Sequence, residues 1–585
     1  MAYSMALTLT ASELEERRHQ LNRAGFHAWL SPIVLMVATY LYRRCFRPAL
    51  FPSKSPSSPS PVQLSLRRAA WILQTTYIPE FGPLWIQLLG LMYAAWLLYL
   101  TFRNTGDDYM HLTKAFGHVA ISQLPVHYLL ALKDTTYSPF RWATSLTHER
   151  LNPVHRLFGR IVHGFLAAHA VLYLRFFVTM GLLPKRIKDP DVRCGILAFW
   201  MFNFLGLLSI PAVRRRMYHV LFYRSHVLLS GFVIPVLWAH VPYTRLYVAQ
   251  VAAIWALGGW ARRSTRRTTT VQALRPENIP GTELVRVTFV VNRASALGRP
   301  TPGQHVYVRR VGGMVGPKTP FSIADVQSSV RRGEGQLMEV LVVLSNTGGP
   351  GTSFFASLSM PALKEEAAAM TTHEIQLEGP YGEASVYLAP ILRSGLDTPV
   401  LLVAGGVGAT YVLPIYTALL KARRRPHADG DARGRRGGRI KMVWLVKTHA
   451  DAQWGIDLLA SRLAEGEAEG LPEPDVDVYI TTVSSSSSTA GRDDSVVASR
   501  VSMRKKKEDI IHVHPLGHRP SLGSIVDEVL NSSSSPPPDR DDEATVFVCG
   551  PRTLSRDLRA LVGRRVLSEG RKVRWFEEVF GFGGS

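Results

Sequence analysis

Four histidines carry the clearest chemical signal in this chain. His155 and His169 are 14 residues apart, and so are His226 and His240. Fourteen residues make about four helical turns, so each pair lies on nearly one helix face, roughly 21 Å apart along the axis. His226 and His240 lie in one apolar stretch, and His155 and His169 share another if its helix begins a turn or two before the apolar run; an ionisable side chain in such a span marks function by default. Two helices with equal spacing and the same direction can hold two stacked metal centres, His155 facing His226 and His169 facing His240. A b-type haem takes one axial imidazole from each side, giving a six-coordinate iron that passes single electrons. A helical bundle supplies the apolar slot for the porphyrin. His163 sits about 80° off the stripe of His155 and is set aside. His219 follows Arg214–Arg216 closely and reads as interfacial. His111, His118 and His127 are on or near another apolar stretch, with no second pair to face.

The next chemistry-bearing pattern is a glycine turn. Val400–Pro414 reads VLLVAGGVGATYVLP, an apolar strand running into Gly405, Gly406 and Gly408 and then into a helix. Glycines permit the tight turn and let a phosphate approach the backbone. The strand before and the helix after are the context such a loop requires. Lys447 ends the following strand, where it either meets a 2′-phosphate or stays solvated.

These residues must be positioned by two unlike halves. The 585-residue chain is 46% hydrophobic and only 19% charged, yet carries a formal charge of +23, with a mean hydropathy of +0.05. Apolar richness excludes a disordered protein, and 3 cysteines exclude a disulfide scaffold. Residues 1–261 hold +16 of the charge and the remainder +7. The first part contains apolar stretches at Ala28–Tyr42, Leu84–Phe102, Ala115–Leu132, Ile161–Leu183, Ile196–Val213, Val220–Val241 and Leu246–Trp260. Most approach the roughly 20 residues that cross about 30 Å of hydrocarbon. Seven spans are expected, six if a short end stretch is re-entrant or interfacial.

Alternate loops are rich in arginine: Arg43, Arg44, Arg47, Arg67 and Arg68; then Arg141, Arg150, Arg156 and Arg160; then Arg214–Arg216; then Arg262, Arg263, Arg266 and Arg267. By the positive-inside rule these loops are cytoplasmic, the N-terminus is outside, and everything beyond Ala261 is cytosolic. The basic charge is thus a topology signal, and no basic face with interleaved aromatics suggests nucleic acid. Glu13, Glu15 and Glu16 precede the first apolar run, so no signal peptide is read there. Phe51–Pro61 is a Pro/Ser linker.

From Thr268 onward short β-rich runs take over: Leu284–Val291, His305–Arg309, Met338–Leu344, Val400–Val403, Met442–Val446, Val476–Thr482 and Val546–Cys549. Helical stretches between the later ones predict a parallel α/β sheet. Ser484–Ser499 with Arg504–Lys507, and Ser532–Asp542, read as polar loop insertions.

Several segments together resemble the superfamily of transmembrane ferric reductases and NADPH oxidases, and its fungal-type ferric reductases in particular. Leu151–Arg160 (LNPVHRLFGR) is similar to that family's LNxxHRxxGR signature, and Phe222–His226 (FYRSH) to its FxxxH. Thr319–Ile323 (TPFSI) resembles the flavin motif HPFSI or HPFTI, with Thr319 where the family has histidine. Gly348–Thr352 (GGPGT), Gly379–Gly382 (GPYG), the GGVGAT turn, Val546–Pro551 (VFVCGP) and Trp575–Phe582 (WFEEVFGF) follow in the family's order.

The resemblance implies a multi-pass α-helical membrane bundle joined to a cytosolic ferredoxin-reductase-like module. That module would pair an antiparallel β-barrel FAD domain with an α/β parallel-sheet NADPH domain. The expected divisions are 1–83 for the first span and linker, 84–261 for the haem-binding bundle, 268–395 for FAD and 396–585 for NAD(P)H. Implied for FAD are Thr319, Pro320, Phe321, Ser322 and Ile323 along the isoalloxazine, Gly351 and Thr352 at the pyrophosphate, and Gly379, Pro380, Tyr381 and Gly382. Implied for NADPH are Gly405, Gly406, Gly408, Gly550 and Pro551. Cys549 would sit beside the nicotinamide, and Phe582 would cover the flavin until nicotinamide displaces it. The implied activity is electron transfer from NADPH through FAD and two b-type haems to an external ferric or cupric chelate. It would serve metal uptake at the plasma membrane, with a permease/oxidase as partner. The acceptor docks at an exposed haem edge or at a carboxylate such as Asp107 or Asp108. Two other readings stay open: a superoxide-generating NADPH oxidase, and a non-enzymatic haem protein with a decayed flavin site.

Overall fold

The computed structural model describes residues 3–46 apart from 6, then 60–78, 81–132, 138–216, 221–264, 268–273, 276–292, 295–310, 319–328, 335–343, 373–393, 398–423, 438–467, 473–482, 511–531 and 543–578. The chain divides into two compact units. One comprises residues 1–54 and 72–265, and the other comprises 55–71 and 266–580.

The first unit is helical. In chain order its helices are α1 (Ala11–Leu41), α3 (Leu84–Phe102), α4 (Tyr109–Ser122), α5 (Leu124–Leu130), α6 (Pro139–Thr144), α7 (His148–Thr179), α8 (Leu183–Arg186), α9 (Pro190–Leu208), α10 (Pro211–Arg216), α11 (Tyr223–His240) and α12 (Arg245–Ser264), while α2 (Pro61–Thr75) lies between α1 and α3. Among the described residues, four helices are long and apolar enough to cross a membrane: α1 with its extension to Cys45, α3, α7 and α9. The other expected spans are also helical. The third is broken into α4 and α5, because Pro125 has no N–H to continue the ladder across the break. In α11, Arg224, His226 and His240 lower the hydropathy of its 18 residues. Helix α7 packs on α3, α4, α5 and α9, and α9 packs on α11. Around them, Leu124, Val126, Leu151, Val162, Val233 and Val248 form one core, and Ala28, Leu97, Leu112, Phe116, Val119 and Phe165 another.

The second unit has two sheets. The strands β1 (Thr268–Ala273), β2 (Glu277–Asn278), β3 (Leu284–Asn292), β4 (His305–Arg310), β5 (Thr319–Ser328), β6 (Gly335–Val343) and β7 (His373–Tyr381) form an antiparallel sheet of order β1-β7-β4-β5-β6-β3-β2. A further pairing of β1 with β3 closes it into a barrel. Alternation along β3 puts Val285, Val287, Phe289 and Val291 inside.

After helix α13 (Ala384–Arg393) come β8 (Val400–Gly405), α14 (Ala409–Arg423), β9 (Ile440–Val446), α15 (His449–Glu467), β10 (Asp475–Ile480), β11 (His512–Pro515), α16 (Leu522–Asn531), β12 (Glu543–Cys549), α17 (Arg552–Glu569) and β13 (Lys572–Glu578). Their strands form one parallel sheet, order β11-β10-β9-β8-β12-β13. Strands β8, β9 and β12 are buried along their whole lengths. That explains their continuous apolar runs, since helices cover both faces of a parallel sheet. The chain direction across the sheet reverses between β8 and β12, and such a switch point is where ligands bind, at the carboxyl ends of the strands.

The sequence pattern left α2 unread. Its residues up to Trp71 belong to the second unit. Trp71 packs with Val546, Val548, Leu558 and Val562, and its ring meets Trp575 edge-on at 6.1 Å. Arg67 donates to Gly570 O at 3.3 Å and Arg68 to Ser568 O at 3.3 Å. Two residues that read as topology charges therefore also cap the negative end of α17. The polar segments 484–507 and 532–542, and the Pro/Ser stretch up to residue 59, lie outside the described residues.

Candidate functional site

At the sheet's switch point two glycine turns interlock. Ala404 on β8 pairs with Cys549 on β12. Gly405 and Gly550 abut so closely that a Cβ on Gly550 would lie 3.0 Å from Gly405 Cα. A Cβ on Gly408 would lie 2.3 Å from Cys549 O, so only glycine fits there. Gly406 takes a left-handed φ of 54°, which glycine adopts without a steric cost. It is exposed, as a backbone waiting for a phosphate must be. Trp444 Nε1 donates to Gly406 O at 2.9 Å and fixes the turn from below. Lys447 is exposed at the end of β9.

Cys549 is fully buried, and burial pushes its thiol well above the ordinary range, with Glu578 and Glu577 adding to the effect. Beside it Phe576 stacks on Tyr387 at 4.1 Å and on Phe547 at 5.1 Å. Phe582 lies outside the described residues.

In the barrel, β4 and β5 pair His305 with Ser322 and Tyr307 with Pro320, and β7 brings Tyr381 opposite His305. Ser322 and Ile323 are buried, Phe321 is half-buried and Pro320 exposed. The rings of His305, Tyr307 and Tyr381 form a group with centroids 5.5 to 6.3 Å apart, Tyr307 edge-on to each of the other two and His305 tilted 36° against Tyr381. Gly379 and Gly382 have positive φ and approach His305 and its neighbours closely. The sequence reading noted a threonine at 319 in place of a histidine. It did not anticipate that His305 from the adjacent strand lies directly across from Ser322. Gly351 and Thr352 lie outside the described residues. Asp325 on β5 and Arg462 on α15 form an ion pair at 2.7 Å that joins barrel and sheet.

In the helical unit, the His155 and His226 rings lie 6.4 Å apart at an interplanar angle of 73°. Two imidazoles that share one iron from opposite sides, with bonds of about 2 Å, have centroids about 6 Å apart. The second pair meets a different test. His169 Nδ1 hydrogen-bonds Thr113 O at 2.8 Å, and His240 Nδ1 hydrogen-bonds Asp191 O at 2.7 Å. A backbone carbonyl on Nδ1 fixes the tautomer and leaves Nε2 free for a metal, as for ligating histidines generally. A Cβ on Gly117 would lie 2.6 Å from the His169 ring, and one on Gly195 would lie 2.6 Å from the His240 ring. Both rings thus sit against glycine backbones. The four residues fit a pair of bis-imidazole haem sites.

Three other histidines have clear surroundings. His127 stacks on His155 at 4.2 Å with the planes within 4°, a neighbour the spacing pattern could not reveal. His118 stacks on Tyr243 at 3.6 Å. His163 faces Gly206 on α9. Among the described residues, no group of three or more His, Cys, Asp or Glu side chains converges as a self-sufficient metal site.

An apolar helical unit with facing histidines, followed in the chain by an antiparallel barrel and a parallel sheet with a glycine turn at its switch point, defines a membrane protein with a nicotinamide-nucleotide-binding domain. Residues 116–237 match the ferric reductase like transmembrane component, and residues 398–563 match the ferric reductase NAD binding domain. Both matched segments are thus of ferric reductase type, and the chain is similar to fungal ferric reductases over these parts. It is 32% identical over 28% of its length to a probable ferric reductase transmembrane component of Eremothecium gossypii, covering 23% of that protein. It is 24% identical over 68% of its length to a probable metalloreductase, AIM14, of Yarrowia lipolytica, covering 64% of that protein. The chain therefore spans 23% and 64% of the length of these two curated relatives. A solved ferredoxin-NADP+ reductase of Plasmodium falciparum covers 54% of this chain and 96% of its own, with 13% identity and a TM-score of 0.31.

Proposed function

We propose that this protein is a ferric-chelate reductase. It carries electrons from cytosolic NADPH, by way of FAD and two b-type haems, to a ferric or cupric chelate across the membrane. The observation that supports this reading most is the pairing of His155 with His226 at 6.4 Å, on helices whose outer histidines are each oriented by a backbone carbonyl. FAD bound in the barrel would supply the conversion from two-electron hydride to single electrons, and haem held by the histidines would supply one-electron transfer.

The chain's own residues bind and orient. Gly405, Gly406 and Gly408 receive the NADPH pyrophosphate with Gly550 and Pro551 alongside, and Lys447 meets the 2′-phosphate. Cys549 flanks the nicotinamide, and Phe582 covers the flavin until nicotinamide displaces it. Thr319 to Ile323 and Gly379 to Gly382 line the isoalloxazine, with Gly351 and Thr352 at its pyrophosphate. His155 with His226, and His169 with His240, hold the two irons. The arginine-rich loops support an orientation with the nucleotide side in the cytosol and the His169–His240 end outside. Plasma-membrane residence and a permease/oxidase partner in metal uptake follow from that role.

The test is an acceptor assay on intact cells, with iron, copper and oxygen side by side, alongside a dithionite-reduced spectrum of the purified protein. External ferric reduction with b-type haem bands is expected. A spectrum without those bands would sink the haem reading. Superoxide in stoichiometric yield, with no ferric reduction in its absence, would move the protein to the oxidases.

A further inference from the structure

The two histidine pairs are oriented by different means. At His169 and His240 each Nδ1 is held by a backbone carbonyl, Thr113 O and Asp191 O respectively. At His155 and His226 each Nδ1 is buried and has no hydrogen-bond partner among the described residues. A ligating imidazole is normally held in its plane by a partner on the nitrogen away from the metal. What stands in for that partner at His155 is another ring. His127 stacks on it with centroids 4.2 Å apart and planes within 4°, and the His127 carbonyl acts on the same ring.

The local sequence builds this contact. Pro125 lies in the first turn of α5, where His127 N donates to Gln123 O at 3.0 Å. Helix α5 packs on α7 and α12. On α7, His155 and Gly159 are one turn apart and share a face, and the Phe158 ring lies 5.9 Å from that of His127, tilted by 21°. A Cβ on Gly159 would lie 2.9 Å from His127 Cε1, so this glycine makes room for the ring. The next residue, Tyr128, grips the other ligand helix. Its hydroxyl donates to Ser230 O at 2.5 Å, one turn beyond His226 on α11. Consecutive residues of α5 thus hold both helices of the pair. His127 Nδ1 is itself buried without a hydrogen-bond partner among the described residues. That is costly where a hydrocarbon side chain would fill the space freely, so the ring needs a reason beyond filling space. Shape is the reason on offer: imidazole is flat enough to stack on His155 and small enough to clear Gly159.

We infer that His127 is a positioning residue, which fixes the plane of the His155 imidazole and with it the 73° angle between the His155 and His226 rings. The inference rests on the haem reading and deepens it. When two axial imidazoles cross at a steep angle, their π-donation is shared between both dπ orbitals of the iron, which stay close in energy. Aligned rings split those orbitals and favour the oxidised iron. Ring orientation therefore acts on the low-spin spectrum and on the potential without any change of ligand.

The experiment uses the full-length holoprotein in lipid nanodiscs with two variants. His127→Leu removes the stack, and Gly159→Ala leaves His127 in place but drives a Cβ into its seat. His163→Leu, a histidine of α7 outside the stack, is the control. Two haems per chain by pyridine haemochrome and a wild-type Tm establish that a variant folds and keeps both irons. Both stack variants should lower and broaden the largest g-value of one low-spin centre in the EPR spectrum. They should also lower the midpoint potential of one haem, with the second centre unmoved. The control should alter neither. Unchanged EPR spectra and unchanged potentials in both stack variants, with two haems bound, would overturn the inference. So would a His127→Leu protein that keeps only one haem, since His127 would then be needed to hold iron and not to aim its ligand. Wild-type protein without b-type bands would overturn the haem reading, and this inference with it.

Discussion

His155 on α7 and His226 on α11 face each other with ring centroids 6.4 Å apart, although a whole helix, α9, separates them in the chain. Each is near the start of its helix, and each has a partner 14 residues further on. With one long helix, α9, between them, the two helices would run the same way, and the proposed second pair, His169 with His240, would form toward the other end. Replacing His169 with Ala should remove one of two b-type haems, halving the haem-to-protein ratio in a pyridine haemochrome assay. Ferric reduction on the far side should fall to background while NADPH-driven flavin reduction stays at the wild-type rate. Unchanged ferric reduction would refute the ligand assignment.

The glycine turn allows a test on the nucleotide side. A Cβ at Gly408 would sit 2.3 Å from Cys549 O, a backbone atom that cannot swing aside. Gly408→Ala should therefore push β8 and β12 apart at their carboxyl ends and cost about 1–3 kcal/mol of stability. It should weaken NADPH binding more than it weakens FAD retention, because the flavin segment lies on the barrel. Equilibrium nucleotide binding and flavin fluorescence of the same preparation check the two effects separately.

Periodicity and motif order made the two-part architecture legible. Leu84–Phe102 is a helix at the expected bounds, and the strands at Leu284, His305, Val400 and Glu543 fall where apolar runs predicted them. Strands β1, β2, β5, β7, β11 and β13 escaped the reading of apolar runs because they are short, carry polar residues along their length or lie next to insertions. Spacing alone pointed to His155 and His226, which face each other at 6.4 Å, since helical geometry turns 14 residues into a shared face. What spacing cannot supply is company from elsewhere in the chain. His127 lies against His155, His305 opposite Ser322, and Trp71 inside the nucleotide unit, all through long-range packing. Helix α2 was hidden because it follows a Pro/Ser stretch and shows an apolar stripe only once its partner surface is known.

That stripe predicts a coupling. Trp71 is 9% exposed, and a Cβ on Gly563 would lie 2.8 Å from its Nε1. Trp71→Ala should destabilise the second unit by about 3–5 kcal/mol, the usual cost of emptying an aromatic site. Gly563→Ala should destabilise it by overpacking the same contact. Denaturant unfolding followed by Trp and flavin fluorescence should show both losses. A Trp71→Phe variant should recover most of the loss from its alanine counterpart.

Acid stability should depend on Glu543. Burial alone would raise its pKa, but Arg574 and Lys572 hold the carboxyl below its usual range, with Arg574 Nε at 2.5 Å and Lys572 Nζ at 3.2 Å. A carboxylate with a depressed folded pKa contributes stability that is fully present above its unfolded pKa of about 4.3 and lost as pH falls through the folded value. Asp477, held down by Lys441 and His514 against its burial, adds in the same direction. Stability should therefore decline from about pH 5 downward, and Glu543→Gln should flatten that decline while lowering stability at neutral pH by about 1–3 kcal/mol. Urea midpoints measured between pH 3 and pH 7 would check the sign, and an unaltered acid limb in the variant would contradict it.

Cys549 closes the set. It is fully buried, its carbonyl presses on Gly408, and burial together with Glu578 and Glu577 keeps its thiol protonated far above neutral pH. A thiol in that state is a poor nucleophile. The native protein should thus resist iodoacetamide at this position at pH 8, whereas Cys45, which is exposed, should alkylate readily. Peptide mapping after a short pulse distinguishes the two. If Cys549 acts by shape and contact with the nicotinamide rather than as a thiolate, Cys549→Ser should retain much of the hydride-transfer rate. Cys549→Leu should lose most of it by blocking the approach, with FAD content unchanged. Rapid alkylation of native Cys549 would show that the pocket opens to solvent and would assign the thiol a chemical part of its own.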